Sequence, residues 1–397
     1  MPISNKIKTG LERGSWIRKM FEEGDRLKAE LGADNVYDFS LGNPFGEPPV
    51  EFQEELKRIA NDTTPGMHRY MPNAGYVETR EVIAQVLGED SGLNITWDKI
   101  VMTCGAGGGL NVVLKALIDP GDEVIVLTPF FVEYRFYIDN HAGTCREVPT
   151  NKEFDIDLEA LDKSITQKTR AIIINSPNNP TGVVYSSESL KGLEELLKKK
   201  EEEMGTTIYI ISDEPYKKLV YHGLEVPSVF QYMKNSIIVT SHSKDLSIPG
   251  ERIGYIAVSP HAADVQDIMN GLTFCNRTLG FVNAPALMQR AVSKMQRVCV
   301  NVSDYEQKAD LFYNNLIEMG YEMVKPQGAF YLFPKSPIED DVAFVKEAQK
   351  KNILIVPGSG FGTPGYFRIS YCVEKKVIEN SLPGFRELAK EYGLMKQ

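Results

Sequence analysis

Ser236-Ile237-Ile238-Val239-Thr240-Ser241-His242-Ser243-Lys244 is the stretch whose reading decides the fold. Its apolar run, Ser236 to Thr240, has the length and β-branched content of a buried strand. The chain then delivers two hydroxyls and an amine at the strand's carboxyl end, the edge where open α/β sheets bind ligands. Arg252-Ile253-Gly254-Tyr255 follows and adds a guanidinium. A lysine amine condenses with an aldehyde only when deprotonated, and a phosphate requires fixed donors and positive charge. This one segment offers both. A lone lysine after a strand is more often simply solvated, so the reading rests on whether other segments agree.

Outward from this strand, apolar runs alternate with helical patterns from about residue 98 to 260, which predicts βαβ units and a mainly parallel sheet. Lys99–Thr103 reads as a strand, and Leu110, Val113, Leu114 and Leu117 recur after it at helical spacing. Further strands are expected at 123–127, 171–174, 208–211, 237–239 and 253–258, with a helix over Ser187–Lys200. A single long helical stretch is expected from Ala284 to Met319. Mixed strands and helices follow at 329–333, 341–351, 353–356 and 366–370, the pattern of a smaller α+β unit.

The bulk composition narrows the function classes. A length of 397 residues suggests two or three domains, and a net charge of -10 without a basic stripe argues against nucleic-acid binding. The five cysteines are scattered and lack any CxxC pair, which predicts a reducing cytoplasm, no disulfide framework and no structural metal. Residues 1–18 are polar, and no stretch approaches the roughly 20 apolar residues a membrane span needs, so no membrane association is expected.

Several segments bear on the site. Gly105-Ala106-Gly107-Gly108-Gly109 reads as a loop joining a strand to a helix, where exposed amides attract phosphate. It is neither a GxGxxG fingerprint nor a Walker loop, and a purely structural turn is the competing reading. Asn175-Ser176-Pro177-Asn178-Asn179-Pro180-Thr181-Gly182 fixes a turn and supplies the Asn179 amide. Asp213, in Asp213-Glu214-Pro215-Tyr216, ends a strand. There it can cap a following helix or hold a heteroaromatic nitrogen protonated. An ion pair at about 4 Å and an effective dielectric near 20 is worth roughly 4 kcal/mol, or about three pKa units. In Phe367-Arg368-Ile369-Ser370-Tyr371, Arg368 suits either a structural ion pair or bidentate capture of a carboxylate.

In this order, Asn179-Pro180-Thr181-Gly182, Asp213-Glu214-Pro215-Tyr216, Ser241-x-Ser243-Lys244-x7-Arg252-x-Gly254 and Phe367-Arg368-Ile369-Ser370 resemble the motifs of the fold-type I pyridoxal-phosphate aminotransferases, the aspartate aminotransferase-like class I/II family. The resemblance spans nearly the whole chain. It implies an α/β fold: a large domain, 46–290, with a mainly parallel seven-stranded sheet, and a small α+β domain from 1–45 plus 291–397. It implies pyridoxal 5'-phosphate as cofactor, amino-acid and 2-oxo-acid substrates, and a cytoplasmic homodimer with shared active sites in amino-acid metabolism.

By resemblance, Lys244 is the lysine that carries the cofactor, Asp213 partners its ring nitrogen, and Tyr216 and Asn179 contact its ring oxygen. Ser241, Ser243 and Arg252 form the phosphate cup with the amides of Ala106 and Gly107, and Phe131 stacks on the ring unless it is simply a core residue. Tyr70, in Tyr70-x-Pro72-x-x-Gly75, reaches the partner subunit's phosphate. Gly42 and Arg368 take the substrate carboxylate. Arg277 lies 33 residues beyond Lys244, near where dicarboxylate-specific relatives place an arginine that crosses the dimer. This match is by spacing only, and a surface arginine is the alternative. Two departures stand out: Thr79 where leucine is usual before Arg80, and Gly109 where alanine is common, an extra glycine expected to loosen the phosphate loop. A C–S β-lyase or decarboxylase on the same scaffold, or a non-catalytic cofactor-binding regulatory module, are the rival functions.

Overall fold

The computed structural model describes residues 3–12 and 16–395; part of the polar N-terminal stretch therefore lies outside the described residues. Its centre is a seven-stranded sheet. After a short first strand, β1 (Tyr37–Asp38), its members are β2 (Ile100–Thr103), β3 (Glu123–Thr128), β4 (Thr144–Pro149), β5 (Thr169–Asn175), β6 (Tyr209–Asp213), β7 (Ser236–Ser241) and β8 (Gly254–Val258). The order across the sheet is β2-β8-β7-β6-β5-β3-β4. β8 alone runs against its neighbours, and every other pairing is parallel. Six of the seven strands are apolar enough to be read from sequence because both sheet faces are covered; Ile172, Ile210, Ile237, Ile238 and Val239 are almost fully buried.

β4 has no such signature. Its residues, Thr-Cys-Arg-Glu-Val-Pro, are mostly exposed or half-buried because it forms the sheet edge, and edge strands carry charge and proline. The expected Ala284–Met319 helix is two helices, Ala286–Ser293 and Val302–Glu318. Between them the chain leaves one core, where Met295 is buried, and enters another, against which Val300 and Val302 pack. A continuous helix could not serve both.

The second core surrounds four short strands, β9 (Tyr331–Leu332), β10 (Ile353–Leu354), β11 (Val356–Pro357) and β12 (Phe367–Ser370). β12 is antiparallel to β11 and β9, while β10 pairs with β1 of the N-terminal segment. That pairing brings the strap 40–46 over the large sheet.

The glycine-rich stretch after β2 differs from expectation. The helix begins at Gly105 and runs to Leu117, so Gly107, Gly108 and Gly109 are helical. Gly109 does not loosen the helix; it lets the helix lie close on the sheet. A Cβ there would stand 2.7 Å from Val239 Cγ1 and 3.4 Å from Ile256 Cγ1. Both neighbours are buried strand residues that cannot swing away.

Gly109→Ala is therefore expected to destabilise the protein by about 1–3 kcal/mol, the usual cost of overpacking, and to lower the melting midpoint. A midpoint unchanged by the substitution would show that the helix and sheet are not in this contact.

Candidate active site

Strand register assembles the site. Asn175 at the end of β5 pairs with Asp213 at the end of β6, and Asp213 pairs with Val239 of β7. Ser241, the last residue of β7, pairs with Gly254, the first of β8, which also pairs with Thr103 at the end of β2. The strands thus finish along one sheet edge, around a cavity of about 260 Å³. Lys244, Asp213, Tyr216, Asn179 and Phe131 line it. So do Ser241, Ser243 and Arg252, the Ala106–Gly107 turn, and Gly42 with Arg368 from the second core's side. Tyr70 and Arg277 do not; Tyr70 is 90% exposed, and Arg277 is exposed and stacked on Phe274 at 5.4 Å.

Asp213 is buried. Burial pushes its carboxyl up to about 7, with Glu214 acting in the same direction and a hydrogen bond from Tyr134 opposing them. The Tyr134 hydroxyl donates to Oδ2 at 2.5 Å, leaving Oδ1 buried without a partner. No helix follows Asp213 directly, so it caps none. A buried carboxylate oxygen without a donor is costly, and a protonated ring nitrogen would supply one.

Lys244 faces Asp213's cavity from β7. Burial brings its amine down to about 8, helped by Arg368 and Arg252 and opposed by Cys372. The amine donates to the Gly42 carbonyl at 2.6 Å. Arg368 is only 2% exposed and has no carboxylate partner among the described residues, so it forms no structural ion pair. Its guanidinium donates to Asn179 Oδ1 at 3.1 Å and to the Ser40 carbonyl at 2.5 Å, and lies over the Tyr331 and Phe361 rings at 4.7 and 4.8 Å. Its Nε remains unpaired.

Hydrogen-bond donors and a guanidinium converge where the helix Gly105–Leu117 begins. Its first amides have no partner within the helix, so they are donors directed at the cavity end. Arg252 takes the left-handed conformation (φ 51°) and crosses beneath Gly105. A Cβ on Gly105 would stand 2.7 Å from Arg252 Nη2, and its own φ of +71° also favours glycine. Ser241 donates to Ser243 Oγ at 3.1 Å, placing both hydroxyls at the same end.

Sequence reasoning missed three tyrosines. Tyr134 orients Asp213 from behind; Tyr137 lines the cavity beside Gly107; Tyr331 bonds Tyr216 hydroxyl to hydroxyl at 2.8 Å. Tyr331 also explains Gly42, where a Cβ would fall 2.0 Å from the Tyr331 hydroxyl. The -Glu133-Tyr134-Arg135-Phe136-Tyr137- spacing, with tyrosines three apart on one helix, was the available signal. A second, larger cavity of about 550 Å³ lies on the opposite side of the β7 end, lined by His242 and Asp245, and shares only Ser241 and Pro215 with the first. Without Lys244, Asp213 or Arg368 it is not where the chemistry gathers.

The profile of the family described as aminotransferase class I and II matches residues 34–382. A probable aspartate aminotransferase of Methanocaldococcus jannaschii is 34% identical over 366 residues, covering 90% of this chain and 94% of that protein. An aspartate aminotransferase of Thermotoga maritima is 35% identical over 373 residues, with 92% and 95% covered. A crystal structure of an aminotransferase from Eubacterium rectale superposes with a TM-score of 0.96 at 40% identity, over 99% of both chains.

With its amine near 8, Lys244 should react unusually well with a small aldehyde. Reductive labelling of the ligand-free protein is expected to modify Lys244 with a rate that rises up to about pH 8 and then levels. Ordinary surface lysines should still be gaining rate at pH 10, near their reference pKa of about 10.4. A Lys244 profile that tracks the surface lysines would overturn the assignment.

Proposed function

The chain belongs to the aminotransferase class I and II family, and from that premise we propose that it moves an amino group between an L-amino acid and a 2-oxo acid, favouring aspartate, glutamate and 2-oxoglutarate. The cofactor of the family is pyridoxal 5'-phosphate, and the residues here fit it. Asp213 Oδ1 is a buried acceptor awaiting a donor, and the Gly105 helix start with Arg252, Ser241 and Ser243 suits a phosphate. When bound, the cofactor supplies an aldehyde for the amino group and a ring that accepts electrons from Cα.

We assign the remaining work to this chain's own groups. Lys244 would hold the cofactor and, once displaced by substrate, would take the proton from Cα and deliver it to the cofactor carbon that bore the aldehyde; an amine near pH 8 suits both taking and giving it. Asp213 would keep the ring nitrogen protonated, Tyr216 and Asn179 would hold the ring oxygen, and Phe131 would cover the ring face. The single observation that carries the reading is Arg368, a buried guanidinium with no carboxylate partner among the described residues, facing the same cavity as Lys244. A guanidinium stays charged in proteins, and burying it unpaired is expensive. A substrate α-carboxylate would make two charge-assisted bonds, each worth about 1.5–3 kcal/mol.

We further propose a homodimer in which Tyr70 reaches the partner's phosphate subsite and Arg277 the partner's distal substrate carboxylate. Their exposure outside the cavity of their own chain supports this, as do the neighbouring exposed Phe274 and Leu279. Aspartate as substrate draws support from the two relatives so named. We place the protein in the cytoplasm, which suits five free cysteines. We divide the chain into 46–290 and 1–45 plus 291–397; one hydrophobic cluster on each face of the large sheet, the first reaching to Met295, and a further cluster built mainly from the C-terminal part support two units.

Assay of aspartate, glutamate, alanine and phenylalanine as donors, against 2-oxoglutarate, pyruvate and oxaloacetate, tests the reading. Aspartate or glutamate should lead. Arg277→Ala should raise KM for these two by at least about tenfold, near 1.4 kcal/mol, and leave alanine and phenylalanine alone, whereas Arg368→Ala should impair all four. Equal effects of Arg277→Ala on all donors would remove it from substrate recognition. Loss of no donor in Arg368→Ala would remove the central argument.

Shared sites are open to complementation. Chains carrying Tyr70→Ala and chains carrying Lys244→Ala should each be poorly active as homodimers. Mixed, they should regain activity, because each heterodimer contains one site with both residues intact. A mixture no more active than the sum of its parts, or a monomer by light scattering, would contradict the arrangement.

A further inference from the structure

The Ser241–Asp245 segment divides between two cavities. Ser243 and Lys244 line the smaller one, His242 and Asp245 line the larger one behind them, and Ser241 borders both. The rear pair is almost wholly buried, at 3% and 5% exposure, yet it is polar and takes no part in the reaction assigned above.

Its contacts lead away from the segment. Lys218 Nζ pairs with Asp245 Oδ2 at 2.8 Å, and His242 Nδ1 meets the same oxygen at 3.1 Å. Gln296 Nε2 approaches His242 Nε2 at 3.3 Å and donates to the Val292 carbonyl at 2.8 Å. The second bond fixes the amide orientation, since reversing it would set two carbonyl oxygens together. Gln296 is therefore a donor to His242 as well, Nε2 of His242 accepts, and the ring proton sits on Nδ1, where it donates to Asp245. The main chain adds a bond from Val300 N to the Asp245 carbonyl at 2.7 Å.

Lys218 ties this cluster to the segment that carries Asp213 and Tyr216. It lies two residues beyond Tyr216 and five beyond Asp213, in a run held against β7 by bonds from Glu214 N to the Val239 carbonyl and from Thr240 Oγ1 to the Glu214 carbonyl, at 2.9 and 3.0 Å. Asp245 is buried while Lys218 is half-buried, and a buried carboxylate that loses its partner is left uncompensated.

Resting on the assignment of Lys244, Ser241 and Ser243 made above, we propose that Lys218, Asp245, His242 and Gln296 form a polar brace that holds the Lys244 segment in place from behind. Lys218 and Asp245 are then positioning residues: they touch no substrate, and they fix where the amine and the two hydroxyls stand relative to Asp213 and Tyr216.

Lys218→Ala in the full-length ligand-free protein tests this by two readouts independent of turnover: the affinity for inorganic phosphate, and the rate at which a small aldehyde labels Lys244 under reduction. Each should fall roughly tenfold, because small displacements of a site residue carry losses of this size or more. Lys218→Arg should keep wild-type values. Lys218 lines the open rear cavity, so added ethylammonium should restore phosphate affinity in Lys218→Ala and leave wild type unchanged. Should Lys218→Ala fail to fold, Gln296→Leu removes one neutral hydrogen bond and should give about a threefold loss in the same two readouts, within the range of a modest net hydrogen bond. Wild-type behaviour of the folded variant in both readouts overturns the brace, as does a loss that neither ethylammonium nor arginine recovers. Failure of the functional reading looks different: wild-type protein itself would then show no selective labelling of Lys244 and no phosphate binding.

Discussion

The level at which β5, β6 and β7 stop is the constraint on which the rest depends. Parallel pairing carries Asn175 beside Asp213, and Asp213 beside Val239, two residues before Ser241. A one-residue slip in any pairing would turn these side chains to the other sheet face. The buried isoleucines and valines of these strands prevent that slip, since both faces are packed. Apolar packing thereby fixes polar chemistry: the sheet core determines that Asp213 and the Lys244 segment face one space.

What gathers there is costly in the ligand-free protein. Asp213 Oδ1 and Arg368 Nε are buried without partners, and Lys244 is half-buried where its charge is disfavoured. Such groups are tolerated because the surrounding core over-determines their positions. A ligand that satisfied them would bind the folded state alone and stabilise it by mass action. The tyrosines temper the cost. Tyr134 satisfies one oxygen of Asp213, and Tyr216 and Tyr331 satisfy one another, so the orphan atoms that remain belong to residues lining the cavity.

The N-terminal strap depends on the same logic over a longer distance. β1 pairs with β10 and sets the strap 40–46 in place; Ser40 then accepts from Arg368 and Gly42 from Lys244. Gly42 has to be glycine because the Tyr331 hydroxyl occupies the space of its Cβ. Lys308, nearly buried, lies over Phe45 of the same strap at 5.9 Å. Three distant parts of the chain, 40–46, 175–182 and 368, meet at one guanidinium.

The strands that form the sheet interior were legible in the sequence, because burial on both faces demands continuous apolar runs bounded by polar residues. The chemistry at their ends was legible for the same reason: a lysine, an aspartate and an arginine at strand termini break such runs conspicuously. β4 was not legible, because its side chains are mostly exposed or half-buried, unlike those of β2 at the other edge, which are all buried. Nor was the break between Ser293 and Val302, which exists because the chain passes from one core to another. Gly109 was misjudged for a similar reason, its value lying in Val239 and Ile256 on the facing strands. Local sequence by itself determined which residues could act and where strands would end, since both follow from side-chain chemistry and periodicity along the chain. Only the tertiary structure decided which oxygen of Asp213 stays free, which cavity each of Ser241 to Asp245 faces, and which tyrosines close the site, because those depend on contacts between residues tens to hundreds of positions apart.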